Sequence, residues 1–234
     1  GPLTMLTFAR INRNLRSLKR YRQILGVLIK YGFGHVIEQL NIDYYLELGK
    51  RIVSLGTMSK KVERFSQAER LRLAMEELGP TFIKLGQILS TRPDLVPPEY
   101  TEEFRKLQDR VPPQSSELIR QEITRQLGLE IDEIFSMFDD NSIAAGSIAQ
   151  VHRAQLHDGQ EVAVKVRRIG IVPQLETDLD ILAGLAYLVE NHLPGMELFD
   201  PTGIVREFRR TLFREIDLTR EGHTIERFST NFED

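Results

Sequence analysis

The sequence predicts an α+β fold of segregated elements: a helical first half, then a small antiparallel sheet, then helices again. Three observations carry this expectation. Apolar residues recur at helical spacing through the first half of the chain. Residues 161–167 instead alternate, with Val162, Val164 and Val166 on one face and Ala163, Lys165 and Arg167 on the other. Between that run and the one before it stands Asp158-Gly159, a pair suited to a tight hairpin turn.

In chain order, Phe8, Ile11, Leu15, Leu18, Leu25 and Leu28 mark an amphipathic helix. Ser66 and Glu69 form a capping box for a second helix, which Gly79 stops. Pro80 suits the first position of a third, running to about Ser90. A short helix over Tyr100–Gln108 ends before Pro112-Pro113. Ser115 or Ser116 caps the next, with Leu118, Ile119, Ile123 and Leu127 on one face and Gly128 at its end. Asp139-Asp140-Asn141 reads as a turn, and 142–156 as strand, small-residue loop, strand. Helices return over Leu175–Leu193 and from Asp200-Pro201 toward Phe228.

Composition narrows the function classes. The chain has 234 residues, 41% hydrophobic and 28% charged, enough to bury a core and unlike a disordered tail. With no Cys, a disulfide scaffold, a Cys-based zinc site and a thiol nucleophile are excluded. The five histidines (His35, His152, His157, His192, His223) show no metal-ligand spacing. A net charge of −3 argues against a nucleic-acid binder. That balance hides an asymmetry: residues 1–64 carry 12 Lys/Arg against 4 Asp/Glu, and residues 65–234 carry 19 against 30.

The basic head predicts an anionic neighbour. Arg10, Arg13, Arg16, Lys19, Arg20 and Arg22 decorate the first helix, and no acid precedes Glu38. Residues 8–30 either lie on an anionic membrane surface or pack their apolar stripe on the rest of the protein; periodicity does not separate the two. No apolar run approaches the ~20 residues that span a bilayer, so no transmembrane helix is expected. Gly1-Pro2-Leu3-Thr4 ahead of Met5 reads as a cleavage scar from expression.

The chemistry-bearing residues cluster in the sheet region. Ala144, Ala145, Gly146, Ser147, Ile148, Ala149, Gln150 and Val151 form a run of mostly small side chains between two strands. Such a turn lets backbone N–H groups approach phosphate oxygens without side chains in the way. Fourteen positions after Val151, Lys165 on the next strand can neutralise phosphate as a point charge, provided that a carboxylate holds it.

The order of these features resembles the protein-kinase nucleotide motif, a glycine-rich loop ending in Val and then Val-Ala-x-Lys. Here the glycine positions are held by Ala144, Gly146 and Ala149. The alanine-rich loop running into Gln150-Val151-His152 looks like the UbiB family of atypical kinases (the ADCK group). Lys84-Leu85-Gly86-Gln87 resembles that family's Lys-x-Gly-Gln motif, Leu107–Pro113 follows as it does there, and Glu215-Ile216-Asp217 resembles its Glu-x-Asp motif. The likeness covers most of residues 60–230. The loop departs from the commoner Ala-Ala-Ala-Ser-Ile-Gly by exchanging small residues at Gly146 and Ala149.

The resemblance implies a helical extension packed on a partial kinase-like N-lobe. The domains expected are the scar (1–4), a basic amphipathic region (5–64), a helical extension with the Lys-x-Gly-Gln motif (65–130) and the partial lobe (131–234). It also implies ATP as cofactor, with Lys165 on the phosphates and Glu215 holding Lys165, Asp217 beside it and Glu221 as the reserve partner. Lys84 and Gln87 would restrict access to the site. No His-Arg-Asp or Asp-Phe-Gly segment occurs in the sequence, so Mg²⁺ ligands are expected outside it and the chain alone is expected to be inactive. The family further implies ubiquinone (prenyl-quinone) biosynthesis at the cytoplasmic face of a prokaryotic membrane, with prenyl-quinone intermediates or their enzymes as partners. The alternative is a non-catalytic lipid or membrane adaptor that keeps the kinase-like lobe as a scaffold.

Overall fold

A computed structural model describes residues 2–40, 62–108 and 111–222, with side chains from residue 16 onward. The chain forms two compact units: residues 1–107 with 175–209, and residues 108–174 with 210–234.

The first unit is helical. Helix α1 spans Pro2–Lys30 and α2 spans Gly34–Gln39. Then come α3 (Gln67–Leu78), α4 (Pro80–Leu89) and α5 (Pro98–Phe104). The capping box at the start of α3 is present: Ser66 Oγ accepts from Glu69 N at 3.2 Å, and Ser66 N donates to Glu69 Oε2 at 2.7 Å. Gly79, at φ +93°, separates α3 from α4, a conformation that excludes most side-chain-bearing residues. Ile24, Val27, Ala74, Met75, Leu78, Phe82, Ile83, Phe104, Leu107 and Ile181 close into one core. The apolar stripe of α1 past residue 20 is therefore buried against its own protein.

A buried ion pair joins these helices. Asp178 is fully buried and accepts from Arg20 Nε at 2.6 Å, Arg20 Nη2 at 3.0 Å and Thr81 Oγ1 at 2.6 Å. Arg20 also donates to the Leu78 carbonyl at 2.6 Å. One of the basic residues of the head is thus a structural tie, whereas Arg16, Lys19 and Arg22 are exposed.

The second unit holds α6 (Ser116–Leu127), the single turn α7 (Ile131–Ile134), and strands β1 (Phe135–Ala145), β2 (Ala149–Leu156) and β3 (Glu161–Arg167). The strands form an antiparallel sheet in the order β1-β2-β3. Val166 joins Ile119, Ile123, Ile131, Phe135 and Ala154 in its core, with Val162 and Val164 packed alongside. Gly159 turns the β2–β3 hairpin at φ +89°. On α6 only Ile119 and Ile123 are buried, while Leu118 and Leu127 are exposed. Those two isoleucines pack on the sheet, and α6 lies with it in the second unit.

Two further differences from the sequence expectations have local causes. Asp139-Asp140-Asn141 is a bulge within β1, not a turn before it. Asp139 Oδ1 accepts from Asn141 N at 2.9 Å and the Asp139 carbonyl contacts His152 Nδ1 at 2.8 Å, so the strand bends and continues. Helix α8 covers Ile171–His192, and a 3₁₀ turn over Met196–Phe199 precedes α9, Pro201–Glu215. Helix α9 stops at Glu215, and after a break at 216–217 a separate helical turn over 218–222 follows; residues 223–228 of the expected helix lie outside the described residues.

Candidate nucleotide site

The β2–β3 register is set by a two-sided pattern, since β3 can bury its valines only in one phase. In that phase Val151 lies directly opposite Lys165. Cross-strand partners point to the same face, so the end of the small-residue run and the lysine share one side of the sheet. The run itself closes as a hairpin in which Ala144 pairs with Val151, Ala145 with Gln150, and Gly146 N donates to Ala149 O at 2.8 Å.

Lys165 is exposed, as its alternation with the valines requires, and its Nζ donates to both oxygens of Glu221, at 2.8 and 2.7 Å. The carboxylate that reaches the lysine is thus the one the sequence ranked second. Glu215 is the exposed last residue of α9. Asp217 has a local role: its Oδ1 accepts from Arg220 N at 3.4 Å, capping the turn that delivers Glu221. Two residues beyond Lys165 on the same face, Arg167 donates to the Ile216 carbonyl at 3.3 Å. Lys165 and Arg167 together hold the 216–221 segment along β3. Arg167 escaped the sequence analysis because basic residues at a strand end look like solvated charge.

Beneath the hairpin runs a buried polar chain. Gln150 and His152 are fully buried. His152 Nδ1 stands 2.8 Å from the Asp139 carbonyl, which can only accept, so Nδ1 carries the proton and Nε2 accepts from Gln150 Nε2 at 2.8 Å. Gln150 Oε1 accepts from Gln114 N at 2.9 Å, and Gln114 Oε1 accepts from Ile169 N at 2.9 Å. Ring stacking of His152 on Phe138, with centroids 5.1 Å apart, completes the packing. A shallow groove of about 510 Å³ along α6, reaching Arg120 and Asp140, includes neither Lys165 nor the small-residue run.

Lys84 and Gln87 lie on α4 in the helical unit, both half-buried. Gln87 Nε2 donates to the Leu107 carbonyl at 3.3 Å. Between them Gly86 is buried, and a Cβ there would meet the Leu107 Cδ1 methyl and come within 2.8 Å of Met75 Sδ. The glycine of the Lys-x-Gly-Gln run thus lets Leu107 and Met75 pack directly on the α4 backbone.

The model of the ABC1 atypical kinase-like domain matches residues 106–234, which include the hairpin, Lys165 and Glu221. The chain belongs to the ABC1 atypical kinase-like family. Its curated relatives point to the UbiB type within it. It is 40% identical over 219 residues to "Probable protein kinase UbiB" of Pseudomonas fluorescens, a match covering 94% of this chain and 41% of that one. The protein of the same name from Xylella fastidiosa is 41% identical over 208 residues, covering 89% and 37%. The chain thus spans about two-fifths of the length of these UbiB relatives. Among solved structures, "The complex structure of Rv3197-erythromycin from Mycobacterium tuberculosis" is 31% identical with a TM-score of 0.46, covering 71% of this chain and 42% of that one.

Proposed function

We propose that this UbiB-like chain binds ATP, its phosphates lying under the 144–151 hairpin and against Lys165, as the nucleotide-binding portion of an atypical kinase or ATPase. The observation that carries this is the placement of Val151 opposite Lys165, with Lys165 Nζ held by Glu221. The residues fit a polyphosphate: a small-residue hairpin permits close backbone approach, and an exposed ammonium supplies the countercharge. Neither an Asp-Phe-Gly nor a His-Arg-Asp segment is present to hold Mg²⁺ or position a nucleophile, so this chain binds without turnover. ATP titration of the wild-type chain and of Lys165→Ala tests it: about a tenfold or greater loss of affinity is expected. Equal affinities would favour a non-catalytic adaptor.

The prenyl-quinone role and the membrane setting follow from the family resemblance and from the basic face of α1. No described helix is long and apolar enough to cross a membrane. Contact at a cytoplasmic membrane face would be peripheral, through residues 8–30, with Arg16, Lys19 and Arg22 exposed for it at ~1 kcal/mol each. Co-flotation with anionic vesicles, abolished when those three are changed to Glu, is the expected result. On the same family grounds Lys84 and Gln87 restrict substrate access, and Lys84→Ala is expected to widen substrate range in a chain with the catalytic segments.

A further inference from the structure

The small-residue hairpin is held from behind by Arg168, which donates to three carbonyls. The Arg168 guanidinium donates to Gly146 O at 3.2 Å and to Pro112 O at 2.8 Å, and its backbone N–H donates to Ile148 O at 2.8 Å. Among the described residues no carboxylate stands within ion-pair distance of it. The side chain is half-buried, and that burial pulls its pKa below the ordinary arginine value.

These bonds have a geometric consequence. In a planar trans peptide the N–H points opposite to the C=O. Drawing the Gly146 and Ile148 carbonyls onto Arg168 therefore turns the N–H groups of Ser147 and Ala149 the other way; Ser147 is fully buried, so Ala149, half-buried, presents the amide that a ligand can reach. The turn cannot easily relax from this pose. Gln150 anchors its far end through Gln114 and His152, and Gln114 in turn grips Ile169, the residue after Arg168. Segment 112–114 is in this way a brace that couples the hairpin to the end of β3.

We propose that Arg168 is a positioning residue of the phosphate site, holding the 146–149 turn so that the Ala149 amide is turned toward the nucleotide and placing a positive charge beneath it. This inference rests on the phosphate-site assignment made above for Lys165 and the hairpin. A staple with no part in binding would make the same hydrogen bonds, so the test must read charge and position separately.

The 234-residue chain is compared as wild type, Arg168→Met, Arg168→Lys and Lys165→Ala, by amide hydrogen exchange over residues 145–150 without nucleotide and by calorimetric affinity for ATP and for adenosine. Arg168→Met is expected to speed exchange in 145–150 and to lower ATP affinity about five- to tenfold, with adenosine affinity unchanged. Arg168→Lys keeps the charge but lacks the fork that reaches two carbonyls. It is expected to speed the same exchange while losing less ATP affinity, and it decides the matter if the Met variant unfolds. ATP binding that depends on Lys165 but keeps its ratio to adenosine in the Arg168 variants overturns the role of Arg168 alone. Equal ATP binding by wild type and Lys165→Ala overturns the phosphate site itself.

Discussion

Lys165 Nζ sits between the two carboxylate oxygens of Glu221, at 2.8 and 2.7 Å, across 56 residues of sequence. Both side chains are more than a third exposed, 41% and 45%, so the pair adds under about 1 kcal/mol to stability. Its value is directional. A lysine on a four-carbon stem loses its aim without a partner, and here the partner is supplied by a turn that Asp217 caps.

Glu221→Gln is therefore expected to leave the melting temperature within a few degrees of wild type and to weaken ATP binding about two- to tenfold, the worth of one partly screened ionic contact. Glu215→Gln is expected to leave ATP binding unchanged. The reverse ranking in side-by-side titrations would restore Glu215 as the lysine's working partner.

Asp178 is fully buried and accepts three hydrogen bonds, two from Arg20 and one from Thr81. Removing one member of such a pair strands the other, which costs about 3–5 kcal/mol. Asp178→Ala should lower chemical-denaturation stability by about that amount, and Arg20→Met in the same chain should recover part of the loss. Loss below about 1 kcal/mol would mean that water reaches Arg20 readily.

A side chain at Gly86 would have to displace the ends of the Leu107 and Met75 side chains, both buried in the core. Gly86→Val should destabilise the chain by about 1–2 kcal/mol, because overpacking against Leu107 and Met75 outweighs what the helix gains on losing a glycine. A companion Leu107→Ala change, which vacates the clashing methyl, should make the valine cost less than it does alone. Denaturant melts of the four chains read this as a coupling energy.

Glu103 titrates below its ordinary value because Lys106 hydrogen-bonds it, with the Arg72 guanidinium 3.0 Å away adding to the effect. A carboxylate whose folded pKa is depressed stabilises the fold above its unfolded value, about 4.3, and that contribution is lost as pH falls through the lower folded value. Melting temperature should therefore drop between about pH 5 and 2 more steeply in wild type than in Glu103→Gln. Parallel curves would show that the Glu103 contacts add no stability.

Much of this was legible in the chain because it is local. The capping box at Ser66-Glu69, the stop at Gly79, the Asp158-Gly159 hairpin and the valine alternation of β3 each depend on neighbours within a few residues, so spacing and side-chain chemistry determined them. The same alternation placed Lys165 on the exposed face, and the small side chains of 144–149 marked the hairpin. Tertiary structure alone decided the rest. Which carboxylate meets Lys165 depends on where α9 ends and a capped turn begins, and both glutamates have the same chemistry in sequence. Arg20 among the basic residues of α1, and Arg168 after β3, take their roles from partners more than 50 residues away, Asp178 for one and the Pro112 carbonyl for the other. No periodicity encodes an encounter between distant segments; it is settled by which surfaces pack.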